Sequence, residues 1–293
     1  MKSPEVVLLR RLLVLPAAAA VLAVSACAPA DNTDTEASPS GSAVNCAKDR
    51  LPLKTAGKLT VATDTPAFEP WFKNDDPSNG EGFESAVAYA VAEELGFTKE
   101  EVVWEKVGFE QSYAPGAKTF DFDVNQISIT PERQKAVTFS DGYYTVAQGV
   151  VGLADGKFAG ATAKEQLKDA KIGVQVGTTS LDAVQEQLEP ATQPSVFNNQ
   201  IDAVNALKNG QVDLIVVDLP TAFYVTAAQI EDSKIVGQLA PAGAKEEFGM
   251  LLEKDNPLVG CLNQALGELR SGGKLQQITD QWLSSAAGAP VLK

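Results

Sequence analysis

The sequence predicts an α/β fold of two lobes, each a mostly parallel sheet flanked by helices. Three observations predict it. Apolar runs of strand length alternate with stretches of helical spacing, the pattern of sheets whose strands are joined through helices. About 240 residues follow a polar N-terminal segment, enough for two lobes of roughly 100 residues each. Polar residues also stand just past the strand-like runs, where open α/β sheets collect ligands.

The elements follow in order. Lys58–Thr63 reads as a first strand ending at Asp64, and a loop holding Phe68, Pro70 and Trp71 comes next. Gly82 to Gly96 reads as a helix, with Ala86, Val87, Ala90, Val91 and Leu95 at helical spacing and Gly96 as its stop. Val102–Trp104 is a second strand, and Val124–Ile129 a third. After Tyr144 the alternation continues. Lys171–Val176 is a strand, Gly177–Ser180 a turn, and Leu181–Leu188 a helix on which Thr179 and Asp182 resemble a capping box. Ile201–Leu207 is a helix ended by Asn209-Gly210, and Val212–Val217 is a strand running into Asp218. Leu258, Leu262, Ala265, Leu266 and Leu269 mark a late helix. Ser271-Gly272-Gly273 breaks it before a last one marked by Leu275, Ile278, Trp282 and Leu283.

The N-terminus reads as a targeting segment. Arg10 and Arg11 precede an apolar run from Leu12 to Val24, too short for a transmembrane helix, and residues 1–26 form a secretory signal. Val24-Ser25-Ala26-Cys27 resembles a bacterial lipobox, which implies cleavage before Cys27 and lipidation of that cysteine. Residues 27–45 are rich in Ala, Asp, Thr, Ser, Pro and Gly and read as a flexible tether. That arrangement places the body on the extracytoplasmic face of the cell membrane, held by a lipid anchor. Cys46 and Cys261 are then left, in an oxidising compartment, as a disulfide or as two buried thiols.

The chain carries a formal charge of −14, and Lys2, Arg10 and Arg11 against Glu5 account for +2 of it before Cys27. The exported body is therefore more acidic still, at about −16, which suits solubility and does not suit nucleic acid. With no histidine and three cysteines far apart, the sequence argues against a histidine-based zinc site or a Ser-His-Asp triad. No metal or cofactor is implied.

The most informative stretch is Asn125-Gln126-Ile127-Ser128-Ile129-Thr130-Pro131-Glu132-Arg133, followed by Phe139-Ser140-Asp141 and Tyr143-Tyr144. Arginine offers a planar fork that matches two carboxylate oxygens, and Ser128 and the backbone near it can add hydrogen bonds. The stretch resembles the amino-acid-binding branch of the bacterial extracellular solute-binding proteins, family 3, which feed ABC importers. Their pattern here is a small-residue strand end, then T-x-T-x-E-R, then F-S-x-x-Y-Y.

The resemblance covers nearly all of Lys58 to Leu283. It implies a periplasmic-binding-protein type II fold with two hinge crossovers, near Gln148 and Leu239. Lobe I would take residues 46–148 and 239–285, lobe II would take 149–238, and 286–293 would be a C-terminal tail. Arg133 would grip the ligand's α-carboxylate, helped by the turn holding Thr178 and Thr179. Asp218 would take the α-ammonium with Ser128 and the backbone near Gln126. Phe68 and Trp71 would cover the ligand, while Asp64 and Gln175 would meet its side chain. Alternatives stand beside these roles: a helix cap before Leu219-Pro220 for Asp218, ordinary capping for the Gly177–Ser180 turn, a core position for Trp71, and local backbone capping for Asp64.

Two departures from the family pattern bear on the pocket. Gln126 stands where the family has Gly, Ser or Ala, and Ser112–Asp121 reads as a loop in place of a short helix. The implied protein is a monomeric binding protein, not an enzyme, which delivers a polar amino acid to an ABC transporter permease. A sensing subunit for a membrane partner and a cyclic-acid dehydratase on the same fold are the alternatives. Asp64 and Glu69 favour a cationic or amide side chain on the ligand, and Gln126 and Gln175 suit amides.

Overall fold

The structure is a computed structural model that describes residues 45–240, 245–284 and 288–293. The secretory signal, Cys27 and all of the tether but Asn45 lie outside the described residues. The first half of the chain supplies β1 (Leu59–Thr63), α1 (Phe83–Glu94), β2 (Val102–Lys106), α2 (Phe109–Tyr113), β3 (Phe122–Asp123), α3 (Pro131–Ala136) and β4 (Val137–Val146). Next come β5 (Gln148–Leu153), β6 (Ile172–Gln175), α4 (Thr179–Ala183), β7 (Ser195–Phe197), α5 (Gln200–Lys208), β8 (Leu214–Asp218), α6 (Leu219–Tyr224) and β9 (Ser233–Leu239). The chain then returns through β10 (Glu246–Glu253), α7 (Val259–Ser271) and α8 (Lys274–Leu283).

Two five-stranded sheets result, ordered β2-β1-β3-β10-β4 and β7-β6-β8-β5-β9. Each is mixed, where the sequence predicts mostly parallel sheets. β1 runs parallel to β2 and β3, and β6 runs parallel to β7 and β8. The antiparallel pairs all involve β10 or β5. The reason is the route of the chain: β5 and β10, the strands by which it enters the second sheet and re-enters the first, run against the parallel set. β4 passes into β5 through Ala147, and β9 returns to β10 across residues 240–245.

Each sheet has its own core. In the first lobe α1 buries Phe83, Val87, Ala88 and Val91 against Trp71, Phe248 and the apolar faces of α7 and α8. Gly82 enters that helix at φ 96°, and a Cβ there would strike the backbone of Trp71 and Phe72, so only glycine fits. Cys46 and Cys261 are joined by a disulfide that ties the start of the body to α7. In the second lobe Val150, Ile172, Leu214 and Val216 face one core, and Val151, Leu207, Ile215 and Val217 the other, as alternation along buried strands requires.

Three local readings are corrected. The third strand is Phe122–Asp123, not Val124–Ile129, because Gln126 adopts φ 50° and turns the chain out of the sheet. Past it only Ser128 bridges back, to Phe248. The helix after β6 is capped by Thr178, whose Oγ1 accepts from the Leu181 N–H at 3.2 Å, so the cap lies one residue before Thr179. Ser112 and Tyr113 close the short helix α2, and the loop begins only at Ala114.

Residues 288–293, at the expected tail, dock on the second lobe although α8 packs on the first. Gln238 N–H donates to the Pro290 carbonyl at 2.8 Å, and Leu292 N–H returns to the Gln238 carbonyl at 2.9 Å. Leu292 is 3% exposed within the second lobe's core. Replacing it by aspartate is expected to cost about 2–4 kcal/mol in urea unfolding, through a lost apolar contact and a buried charge. Val291→Asp, at a position 50% exposed, should cost little by the same measurement.

Candidate functional site

The two lobes meet around a cavity at the carboxyl ends of β1, β6 and β8, the place open α/β sheets offer to ligands. Asp64, Phe68, Gln126 and Arg133 line it from the first lobe. Gln175, Thr178, Thr179 and Asp218 line it from the second. Trp71 and Ser128 lie outside this lining.

Arg133 sits on α3, whose start is set by Pro131 and by Thr130, which accepts the Arg133 N–H at 3.2 Å. The residue is only 8% exposed. Its guanidinium lies over the rings of Tyr113 (4.8 Å) and Phe109 (5.4 Å), a cation–π stack that fixes its plane. Nη1 donates to the Ser128 carbonyl at 2.7 Å, and Nη2 reaches across to the Gly177 carbonyl of the second lobe at 3.0 Å. Burial draws its pKa down from the usual arginine value. Among the described residues no carboxylate forms an ion pair with it. A positive charge with spare donors thus stands at the cavity wall without a paired anion. Gly177 is at φ 70°, and a Cβ there would strike the Tyr113 hydroxyl, so the lobes close on a bare backbone.

Asp218 occupies the N-cap position of α6 but makes no side-chain cap bond. Its Oδ1 instead accepts from Gln148 Nε2 at 2.9 Å. Burial first, and the nearby charge of Glu246 second, push its pKa up to about 8. The group lines the cavity and forms no ion pair among the described residues, and a ligand ammonium would supply the missing cation.

Glu246 joins the lobes. Its Oε1 accepts from Ser128 Oγ and from Thr179 Oγ1, both at 2.6 Å, and Gln148 Nε2 lies 3.2 Å from its Oε2. Ser180 Oγ in turn donates to Gln148 Oε1 at 2.5 Å. Ser128, 1% exposed, thus serves the seam between lobes rather than the cavity. Trp71 does the same. It is fully buried against Phe83, Tyr144 and Phe248, and its Nε1–H donates to Thr221 Oγ1 of the second lobe at 2.9 Å.

Asp64 is half-buried at the end of β1. It accepts from the Thr65 N–H at 2.6 Å and the Phe109 N–H at 3.3 Å, and burial pushes its pKa up. Local capping and a place on the cavity wall coexist there. Gln126 is gripped from below: Glu84 Oε1 accepts its backbone N–H at 2.7 Å, and Oε2 accepts its side-chain amide. Tyr143 also donates to Glu84. Burial pushes the Glu84 carboxyl up to about 7 against those three donors.

Residues 59–285 match the profile of the bacterial extracellular solute-binding proteins, family 3. The chain belongs to that family. This solute-binding protein is 27% identical over 234 residues to the arginine-binding extracellular protein ArtP of Bacillus subtilis, covering 78% of this chain and 88% of the relative. It is 27% identical to the ABC transporter glutamine-binding protein GlnH of the same organism, covering 76% and 79%. Among solved structures, an ancestral arginine-binding protein bound to arginine superposes with a TM-score of 0.65 at 31% identity, covering 78% of this chain and 98% of that one. The fold is that of the type II periplasmic binding proteins, and no described helix is long and apolar enough to cross a membrane.

Several residues of this binding protein's site carried no sequence signal. Glu84 faces inward from a helix whose pattern reads as plain core, and Gln148 and Glu246 sit on the crossovers, in no motif. Phe109, Asn125 and Asn199 also line the cavity. Phe109 had one available clue, an aromatic after Gly108 two residues past β2.

Proposed function

We propose that this solute-binding protein captures an amino acid with a cationic side chain between its lobes and delivers it, without turnover, to the permease of an ABC importer. The observation that carries the reading is the pairing of Arg133 and Asp218 on opposite lobes of one cavity. A zwitterionic α-carbon offers the anion that Arg133 needs and the cation that Asp218 needs. Asp64, just past β1 and lining the cavity with Phe68 and Phe109, is a second carboxylate with no ion pair among the described residues, suited to a cationic side chain. Several relatives share that class: besides ArtP, the L-arginine-binding protein of Pseudomonas aeruginosa is 28% identical and the ABC transporter arginine-binding protein 1 of Escherichia coli 29%, while others bind glutamine or L-cystine. Because both lobes would touch the ligand, binding selects the closed state, with the crossovers near Gln148 and Leu239 as the hinges. Cys27 would be lipidated and residues 28–45 would tether a monomeric body to the outer face of the cell membrane.

A thermal-shift screen of residues 46–293 against the twenty amino acids tests this. Arginine or lysine at a hundredfold excess over Kd should add about 2.7 kcal/mol, or roughly 5–10 °C in Tm. A shift with glutamine or cystine alone would move the ligand class. No shift with any amino acid, after refolding from denaturant to empty the cavity, would sink the reading.

A further inference from the structure

Gln126 combines two unusual features. It is a long polar side chain on the cavity wall, and its backbone sits at φ 50°, a conformation that side-chain-bearing residues rarely adopt. Both features have one explanation. The backbone N–H and the side-chain amide of Gln126 donate to the two oxygens of the same carboxylate, Glu84, one at 2.7 Å and the other shorter still. Glu84 lies 42 residues earlier in sequence, at the start of α1, and is fully buried.

Nothing cationic offsets this carboxylate, since no described lysine or arginine forms an ion pair with it. Its neighbour Asp123 is a second buried carboxyl, pushed well above its usual pKa by burial and then by the charge of Glu84. Three donors, from Gln126 twice and Tyr143 once, are what hold Glu84 in place. A buried acid at such cost needs a use. Folding alone would be served as well by an apolar residue on this face of α1, beside Phe83 and Val87.

The geometry points to a use in ligand capture: we propose that Glu84 is a positioning residue that grips Gln126 by both donors and holds its amide out of the ligand's space. Without the carboxylate the side-chain amide loses its acceptor, and the polar cavity that Gln126 lines offers it others. It turns to the cavity and occupies part of it. The inference rests on the reading that this cavity receives an amino acid, and its test separates the two.

Calorimetric titration with L-arginine is compared across the wild type, Glu84→Gln, Gln126→Gly and the double variant. An amide at position 84 has one acceptor and one donor group where three donors converge, so part of the grip is lost. Glu84→Gln should weaken binding about tenfold or more. Gln126→Gly removes the side chain that needs holding, and glycine accepts the positive φ, so in that background Glu84→Gln should cost no further affinity. The double variant should recover to the Gln126→Gly value. A structural role for Glu84 predicts no such rescue. If Gln126→Gly binds as poorly as Glu84→Gln, the amide touches the ligand and the proposal is overturned. It is also overturned if the double variant is no better than Glu84→Gln. Should Glu84→Gln not fold, Glu84→Asp, a carboxylate one methylene too short to reach both donors, takes its place in the same comparison. A ligand-free crystal structure of Glu84→Gln gives a readout independent of arginine. The Gln126 amide swung into the cavity is expected, and an amide left in place overturns the proposal even if the wild type binds no amino acid.

Discussion

Arg133→Ala is expected to abolish the ligand-induced rise in Tm and to weaken binding by about 2–5 kcal/mol, a factor of roughly 30 to 5,000. The size follows from where the arginine stands. It is buried beneath Tyr113 and Phe109, and two of its donors already hold Ser128 and Gly177 on opposite lobes. A ligand carboxylate that lost this partner would be desolvated with no cation to meet it. Arg133→Lys restores charge but not the fork, and it cannot span both carbonyls while serving a carboxylate, so it should recover only part of the loss. The unliganded protein should lose much less stability than the complex loses affinity, because the arginine has no anionic partner to orphan. Paired denaturation and titration curves separate the two effects. Unchanged affinity in Arg133→Ala would remove the carboxylate role altogether.

What the sequence makes legible here is what lies in line along the chain. Asp64 and Asp218 stand out because each follows an apolar run, and strand ends in such sheets share one edge, while Gln175 comes only from the family resemblance. Arg133 stands out because it lies five residues past Ser128, after a proline turn, at the spacing of the family pattern. What stays hidden depends on contacts made across the fold. Val124, Ile127 and Ile129 read as strand because nothing in their apolarity reveals that Gln126 will take a left-handed turn. That turn exists because Glu84, on another element, supplies an acceptor for its N–H. Trp71 looked equally suited to core and cavity, and only the placement of Thr221 on the other lobe gives its indole nitrogen a partner in the seam. Glu246 is one acid among many in an acidic chain. Its role appears only when β10 brings it between Ser128, Thr179 and Gln148.

Ligand binding is expected to release a proton from Asp218 below about pH 8, and to weaken as the pH falls from there. Unliganded, the folded carboxyl holds its proton up to about 8, because burial and the charge of Glu246 both disfavour the anion. Unfolded, it would titrate near the ordinary value of 3.8. Between those two values the native state binds more protons than the unfolded one, so this group makes the unliganded protein less stable as pH rises. Glu84, raised to about 7, and Asp123 act in the same direction, so the stability slope alone does not isolate Asp218. Binding does isolate it. An α-ammonium beside the carboxylate favours the anion and must displace the proton, so affinity should rise about tenfold per pH unit where one full proton is released. Titration at pH 6.5 in two buffers of different ionisation enthalpy counts that proton directly. In Asp218→Asn the proton release should vanish and affinity should fall, because an amide offers the ammonium no charge. Equal heats in the two buffers for the wild type, or the same proton count in Asp218→Asn, would place the ammonium elsewhere in the cavity.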